Sequence, residues 1–421
     1  MASRVTGVPR PVGISVYDPD RSWNGYTVYA GGEIIDMNGS LVKHFDLSQL
    51  GKVMPGGHIL GDRRYNGPRM ERGRELVQLD WDGNEVWHYN KTEQIEIDKK
   101  KIWSAKQHHD FEREGSPTGY YAPGLDPIIE GGNTIVLAAK EVERPHIAPG
   151  VLHGDCILEV NWNGDIVWEW QSVDHFDEMD FSEEAKNAIY RGGRVGADPY
   201  DWVHSNSVSY LGPNKWYDAG DERFHPDNFI WDGRHTNTIA VISKETGKIA
   251  WKVGPDYSLT SELRALGWII GLHHAHMIPK GLPGEGNILV FDNGGAAGYG
   301  APNPGAPNGR MNAVRDYSRV VEFDPVTLEL VWEYSALKAD GDRIRACRFY
   351  SRPWSSAQRL PNGNTLICEG AGGRLFEVTP ELEIVWEFIS SHETCYRAYR
   401  VPYEWIPQLD KPEEIAVAIK E

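Results

Sequence analysis

The stretch Cys156–Gln171, CILEVNWNGDIVWEWQ, reads as a complete hairpin: an apolar strand, an Asn163-Gly164 turn, and a second strand ending in aromatic residues. Asn-Gly supplies the positive φ that a two-residue hairpin turn needs. The pattern recurs at Glu33–Asp46, Glu75–Asn90, Thr238–Gly254, Arg319–Ser335 and Arg374–Ile389, with Asn38-Gly39 and Asp82-Gly83 making the turn in the first two. Trp87, Trp168, Trp251, Trp332 and Trp386 occupy one position in the second strand. A large flat ring there packs between neighbouring sheets.

A second apolar unit precedes the hairpins, as MPGGHILGD at Met54–Asp62, EGGNTIVLAAKE at Glu130–Glu141, PGEGNILVFDNG at Pro283–Gly294 and LPNGNTLICEG at Leu360–Gly370, with a degenerate copy around Pro226–Trp231. An inner hairpin followed by an outer one makes a four-stranded blade. From Val53, five such blades end near residues 90, 171, 254, 335 and 390. The outer strands at about 25–47 then lack an inner partner, and an inner strand at about 396–403 is left over at the other end of the repeat. Pairing the two closes a ring and removes its exposed edges. The chain is therefore expected to be all-β, a single six-bladed β-propeller domain over residues 1–421.

Insertions interrupt the repeat near 91–128, 172–202, 211–226, 255–271 and 295–316. Helical patterns are expected at Phe181–Tyr190, with Ser182 as cap, at Ser258–Leu266, and in the tail Lys411–Glu421. Gly294–Asn312 carries no packing pattern.

A net charge of −18 over 421 residues argues against a nucleic-acid partner, which needs a basic face. Cys156, Cys347, Cys368 and Cys395 show no paired spacing and read as buried thiols. With no apolar leader and no run of about 18 apolar residues, the expectation is a soluble, cytoplasmic protein without a membrane partner.

Chemistry gathers at the starts of the inner strands: Gln107-His-His-Asp-Phe111, DWVHSNS at Asp201–Ser207, LHHAHMIP at Leu272–Pro279 and RPWSSAQ at Arg352–Gln358. In a propeller these positions line one central channel, so His109, His204 and His273 are expected to converge. Arg234, in Trp231–His235, is a candidate anion contact because guanidinium presents two parallel donors. Tyr120, Tyr121, Trp202, Trp268 and Trp354 suit either an aryl-binding wall or blade packing.

The ordered set HHDF, DWVHSNS, DGRHT, LHHAHMIP, ILVFDNGG, YSRVVEFDPVTLELVWEY, LPNGNTLICEG and YRAYRV resembles the bacterial arylsulfate sulfotransferases, from Val16 to about Val401. The resemblance implies a transferase that moves a sulfuryl group from an aryl sulfate to a phenolic acceptor without a cofactor. His273 would be the nucleophile, forming a sulfohistidine. His109 and His204 would be further channel histidines, and Arg234 would hold the sulfuryl oxygens. Arg397 and Ser318-Arg319 also fall on matching motifs, and Arg397, Tyr120, Trp202 and Ser355 complete the expected substrate-binding set. Leu272 and His274 stand where the family motif has Gln and Asp. The extra imidazoles His108, His274 and His276 open an alternative, a metal-dependent lyase or hydrolase acting on a phenolic or carbohydrate substrate. It would hold one divalent ion on His109, His204, His273 and His276. A non-catalytic binding propeller is the third reading. The expected partner is a small aromatic substrate, with a homodimer left open.

Overall fold

The computed structural model describes residues 11–64, 74–97, 100–105, 107–193, 199–340 and 349–418. Six antiparallel sheets form the blades of a propeller. From the channel outward, blade 1 runs Gly51–Met54, His58–Arg63, Glu75–Leu79 and Glu85–Tyr89. Blade 2 runs Gln107–Arg113, Thr134–Glu143, Val151–Val160 and Ile166–Gln171, and blade 3 Ser205–Tyr210, Phe229–Gly233, Thr238–Ile242 and Ile249–Val253. Blade 4 is His273–Met277, Ile288–Asp292, Arg319–Phe323 and Leu330–Tyr334; blade 5 is Ser356–Arg359, Thr365–Glu369, Arg374–Val378 and Ile384–Ile389.

Blade 6 closes the ring as the repeat count requires. Its inner strand Ala398–Val401 comes from the C-terminal end and pairs with Tyr26–Tyr29, which continues to Glu33–Ile35 and Leu41–His44. Gly13–Tyr17 adds a fifth strand to the rim of blade 5, an element the repeat does not announce.

Every outer hairpin carries the same one-residue register shift, for example between Gln78 and Leu79 or Glu159 and Val160. This bulge sits beside the recurring Trp and adds local twist. Each indole N–H then donates to a backbone carbonyl in the next blade: Trp87 to Trp162 at 2.8 Å, Trp168 to Lys244 at 3.0 Å, Trp251 to Pro325 at 2.8 Å, Trp332 to Pro380 at 3.0 Å and Trp386 to Met37 at 2.9 Å. The sixth junction is different. Lys43 fills the Trp register position of blade 6, and its ammonium lies 5.0 Å from the Trp81 ring centroid in blade 1. A cation–π contact there replaces the indole hydrogen bond.

The helix Glu183–Gly192 forms with Ser182 accepting from the Ala185 amide, and Ser261–Leu266 is capped by Thr260. Two expectations fail. Ala297–Tyr299 pairs with Arg310–Ala313, so the Gly/Pro-rich insertion contains a small hairpin. The tail is extended: Val417 and Tyr17 exchange two 2.8 Å backbone hydrogen bonds, and Asn38 holds the Glu413 carbonyl and the Ile415 amide. The open edge of Gly13–Tyr17 takes those backbone groups before a helix does. Cys156, Cys368 and Cys395 are buried, and Cys347 lies outside the described residues. Among the described residues no helix is long and apolar enough to cross a membrane.

Trp386 is fully buried and its N–H satisfies the Met37 carbonyl between blades 5 and 6. Trp386→Phe should lower the unfolding free energy by about 1–3 kcal/mol, the cost of a stranded buried acceptor. Lys43→Ala should cost about 1 kcal/mol or less. Urea midpoints at constant slope report both.

Candidate active site

The inner strands of blades 2, 3 and 4 break register beside their histidines, between Gln107 and Phe111, Ser205 and Val208, and His273 and His276. His109, His204 and His274 hold φ of 58°, 54° and 56°, and in blade 5 Trp354 and Ser355 hold 63° and 100°. Left-handed backbone is costly for such residues, so its recurrence around one channel marks a site over-determined by its surroundings.

At the channel mouth the His109 and His204 rings are 5.0 Å apart. His204 Nδ1 lies 2.5 Å from Asp201 Oδ2, a contact that orients the ring and leaves Nε2 as its basic nitrogen. His235 stacks on His204 at 4.7 Å and donates its Nδ1–H to the Asp201 carbonyl at 3.0 Å. Burial and then the charge of His108 keep His109 neutral. Arg234 makes no ion pair among the described residues; burial and the Arg352 charge lower its pKa from the usual guanidinium value.

His273 is 2% exposed. Asn293 donates both amide hydrogens to carbonyls, of Ser351 at 2.6 Å and Trp354 at 2.7 Å, so its Oδ1 accepts the His273 Nδ1–H at 2.8 Å. The lone pair of His273 is therefore on Nε2, where it accepts the Trp354 N–H at 3.1 Å. Burial first, and Arg234 next, hold this ring neutral.

Deeper in the channel lies a separate layer. His276 donates Nδ1–H to the His274 carbonyl at 2.9 Å and accepts the Tyr120 hydroxyl at 2.9 Å, while Tyr399 bonds His274 Nε2 at 3.1 Å. Asp110 takes Lys52 on one oxygen at 2.9 Å and Arg397 and the Val208 N–H on the other, at 2.8 and 3.1 Å. Burial opposes the Asp110 charge, but Arg397 and Lys52 overcome it and hold its pKa low. Glu112, also paired to Lys52, is pushed up by burial to about 8.

The structure thus brings His109 and His204 together and sets His273 within reach of the Arg234 charge. Arg397 is wholly buried on Asp110 and the Asn206 carbonyl. Trp202 packs on Phe176 and Phe181, Tyr120 is held by His276, and the Ser355 hydroxyl accepts the Gly370 N–H at 3.0 Å. Among the described residues, two trios bring ligand atoms within 4.8 Å of one another: His108, His153 and Asp155, and Asp201, His204 and His235. Neither is the set His109, His204, His273 and His276. Asp201, His235 and Asn293 stand in the same motifs as His204, Arg234 and the strand after His273, but only the fold shows what they hold. His153 and Asp155 carried only their alternate spacing, which puts both on one strand face. A cavity of about 310 Å³ opens beside His108 and His109, lined also by Gln49, Arg74, Gln107 and Phe111.

The family model for arylsulfotransferase (ASST) matches residues 128–393. The chain belongs to that family. No curated protein matches it. Among solved structures, a Bacteroides caccae protein of unknown function is 13% identical, with 90% of this chain and 99% of that chain covered and a TM-score of 0.46. AztD from Citrobacter koseri is 7% identical, covering 90% and 98%, with a TM-score of 0.37. The matched arylsulfotransferase region holds blades 3, 4 and 5 whole, with Arg234, His204 and His273, while His109 precedes it.

Asp110→Asn leaves Lys52 and Arg397 buried against a neutral amide, and should cost about 3–5 kcal/mol in denaturant unfolding. Stability should also fall with acid. Burial lowers His276 from 6.5 to about 4, so above 6.5 neither state is protonated on this ring. Below 6.5 the unfolded chain takes the proton first, and stability is lost down to about pH 4, by about 3 kcal/mol for this group. Unfolding curves of wild type and His276→Gln across that window should differ by about one proton in slope.

Proposed function

We propose that this arylsulfotransferase-family protein moves a sulfuryl group from an aryl sulfate to a phenolic acceptor through a sulfohistidine on His273. The observation that carries the reading is His273 itself. It is a buried neutral imidazole whose Nδ1–H is fixed by Asn293, which leaves Nε2 as the basic nitrogen, and the ring feels the charge of Arg234, a guanidinium with no ion-pair partner among the described residues. Neutral imidazole is a competent nucleophile, and Arg234 matches the charge of the transferring oxygens.

In the first half-reaction His273 Nε2 attacks sulfur, the aryl C–O–S linkage breaks at S–O, and the aryl oxide leaves. In the second, the acceptor phenol attacks the same sulfur, the N–S bond breaks, and the phenol proton passes to His204, oriented by Asp201. Resting His273 Nε2 is hydrogen-bonded to the Trp354 amide, so that amide withdraws before attack.

The test uses 4-nitrophenyl sulfate. Without acceptor, wild type should release one equivalent of nitrophenolate and gain one sulfuryl group by intact mass, mapped to His273. With phenol it should turn over. His273→Ala should lose adduct and turnover by at least about 1,000-fold. His204→Gln should keep the adduct and slow acceptor transfer about 100-fold or more. Undiminished transfer in His273→Ala, or an adduct on another residue, overturns the reading.

A further inference from the structure

His108, His153 and Asp155 lie outside the proposed transfer, yet their geometry is that of a ligand set. His153 and Asp155 are alternate residues of the strand Val151–Val160, and His108 reaches them from the inner strand of the same blade. Asp155 is 1% exposed. Its Oδ2 accepts the Ser205 N–H at 2.6 Å. Among the described residues its Oδ1 makes no hydrogen bond of good geometry, and neither does His108 Nε2, although both atoms are buried. Oδ1 is flanked by His108 Nε2 at 3.3 Å and His153 Nε2 at 3.4 Å. Two donors each about 2.1 Å from one ion at a tetrahedral angle stand about 3.4 Å apart. The two edges converging on Oδ1 therefore already have the lengths of a coordination polyhedron, while Oδ1 and His108 Nε2 sit buried without a well-aligned hydrogen bond among the described residues.

We propose that His108, His153 and Asp155 bind one divalent transition-metal ion. Two imidazoles and a carboxylate suit zinc and its neighbours in the first transition row, with coordination positions left open. The His153 side chain is 37% exposed, so solvent reaches the site from that side. Binding would also fix proton positions. With Nε2 on the ion, His108 carries its proton on Nδ1, which lies 2.8 Å from His109 Nδ1. His109 then accepts there and presents Nε2–H. This last consequence bears on the proposed transfer, but the metal site itself does not depend on it.

The experiment is zinc titration of the chelator-stripped full chain by calorimetry, with cobalt(II) visible absorption as a second readout. Wild type should take up one zinc per chain at this site. His108→Gln and His153→Gln should each weaken it by at least about 100-fold, beyond the 10–100-fold typical of losing a supporting hydrogen bond. His153 is partly exposed, so its variant should keep the wild-type circular dichroism and isolate the ligand effect. His235→Gln should leave this uptake unchanged. No zinc uptake overturns the proposal, as does uptake insensitive to His108→Gln and His153→Gln. Loss of the uptake in His235→Gln instead would place the ion on Asp201, His204 and His235 and equally overturn it. None of these results alters the sulfo-adduct test, so the two readings fail separately.

Discussion

The Asp110 carboxylate is the point on which the channel depends. It receives Lys52 from blade 1, Arg397 from blade 6 and the Val208 amide from blade 3, while belonging to blade 2. Buried ions of this kind are expensive singly and tolerable together, because each supplies the others' lost hydration. The same lacing continues around the hub. Asn206 donates to the Leu272 carbonyl of the segment leading into blade 4 and accepts Arg397, and Gln358 of blade 5 exchanges hydrogen bonds with the Arg400 backbone of blade 6. A polar hub therefore fixes the angles at which the inner strands present their first residues.

Further out, a different fastening works. Five indole N–H groups and one ammonium over an aromatic ring tie each outer hairpin to its neighbour. These contacts add hydrogen-bond direction to apolar burial, so the blades are held in angle as well as in contact. The division of labour explains why the mouth can carry strained residues. His109, His204, Trp354 and Ser355 sit at positive φ between two rigid layers, and the scaffold bears that cost.

Much of this was legible in the chain. The hairpin period, the recurring Trp and the unpaired ends at about 25–47 and 396–403 each have a local physical cause that survives folding. What escaped was set by contacts between distant segments. Gly13–Tyr17 and its Val417 partner form a strand edge that no repeat encodes. Within the site, His109 and His204 could be brought together by strand position alone. The roles of Asp201 and Asn293 depend on where a bulge and a loop aim them. Tyr120 and Trp202 illustrate the converse: aromatic residues near a channel are as readily spent on hydrogen bonding and packing, and here both are fully buried.

The central claim is that the hub holds His273 neutral, with its proton on Nδ1 and its lone pair on Nε2. Nitrogen-15 NMR of the histidine-labelled protein reads tautomer and charge directly, with His273→Gln supplying the assignment. At pH 6.5, the ordinary imidazole midpoint, His273 should show a protonated Nδ1 and an unprotonated Nε2, with no sign of half-titration. A ring that is half-protonated there, or that carries its proton on Nε2, would contradict the account.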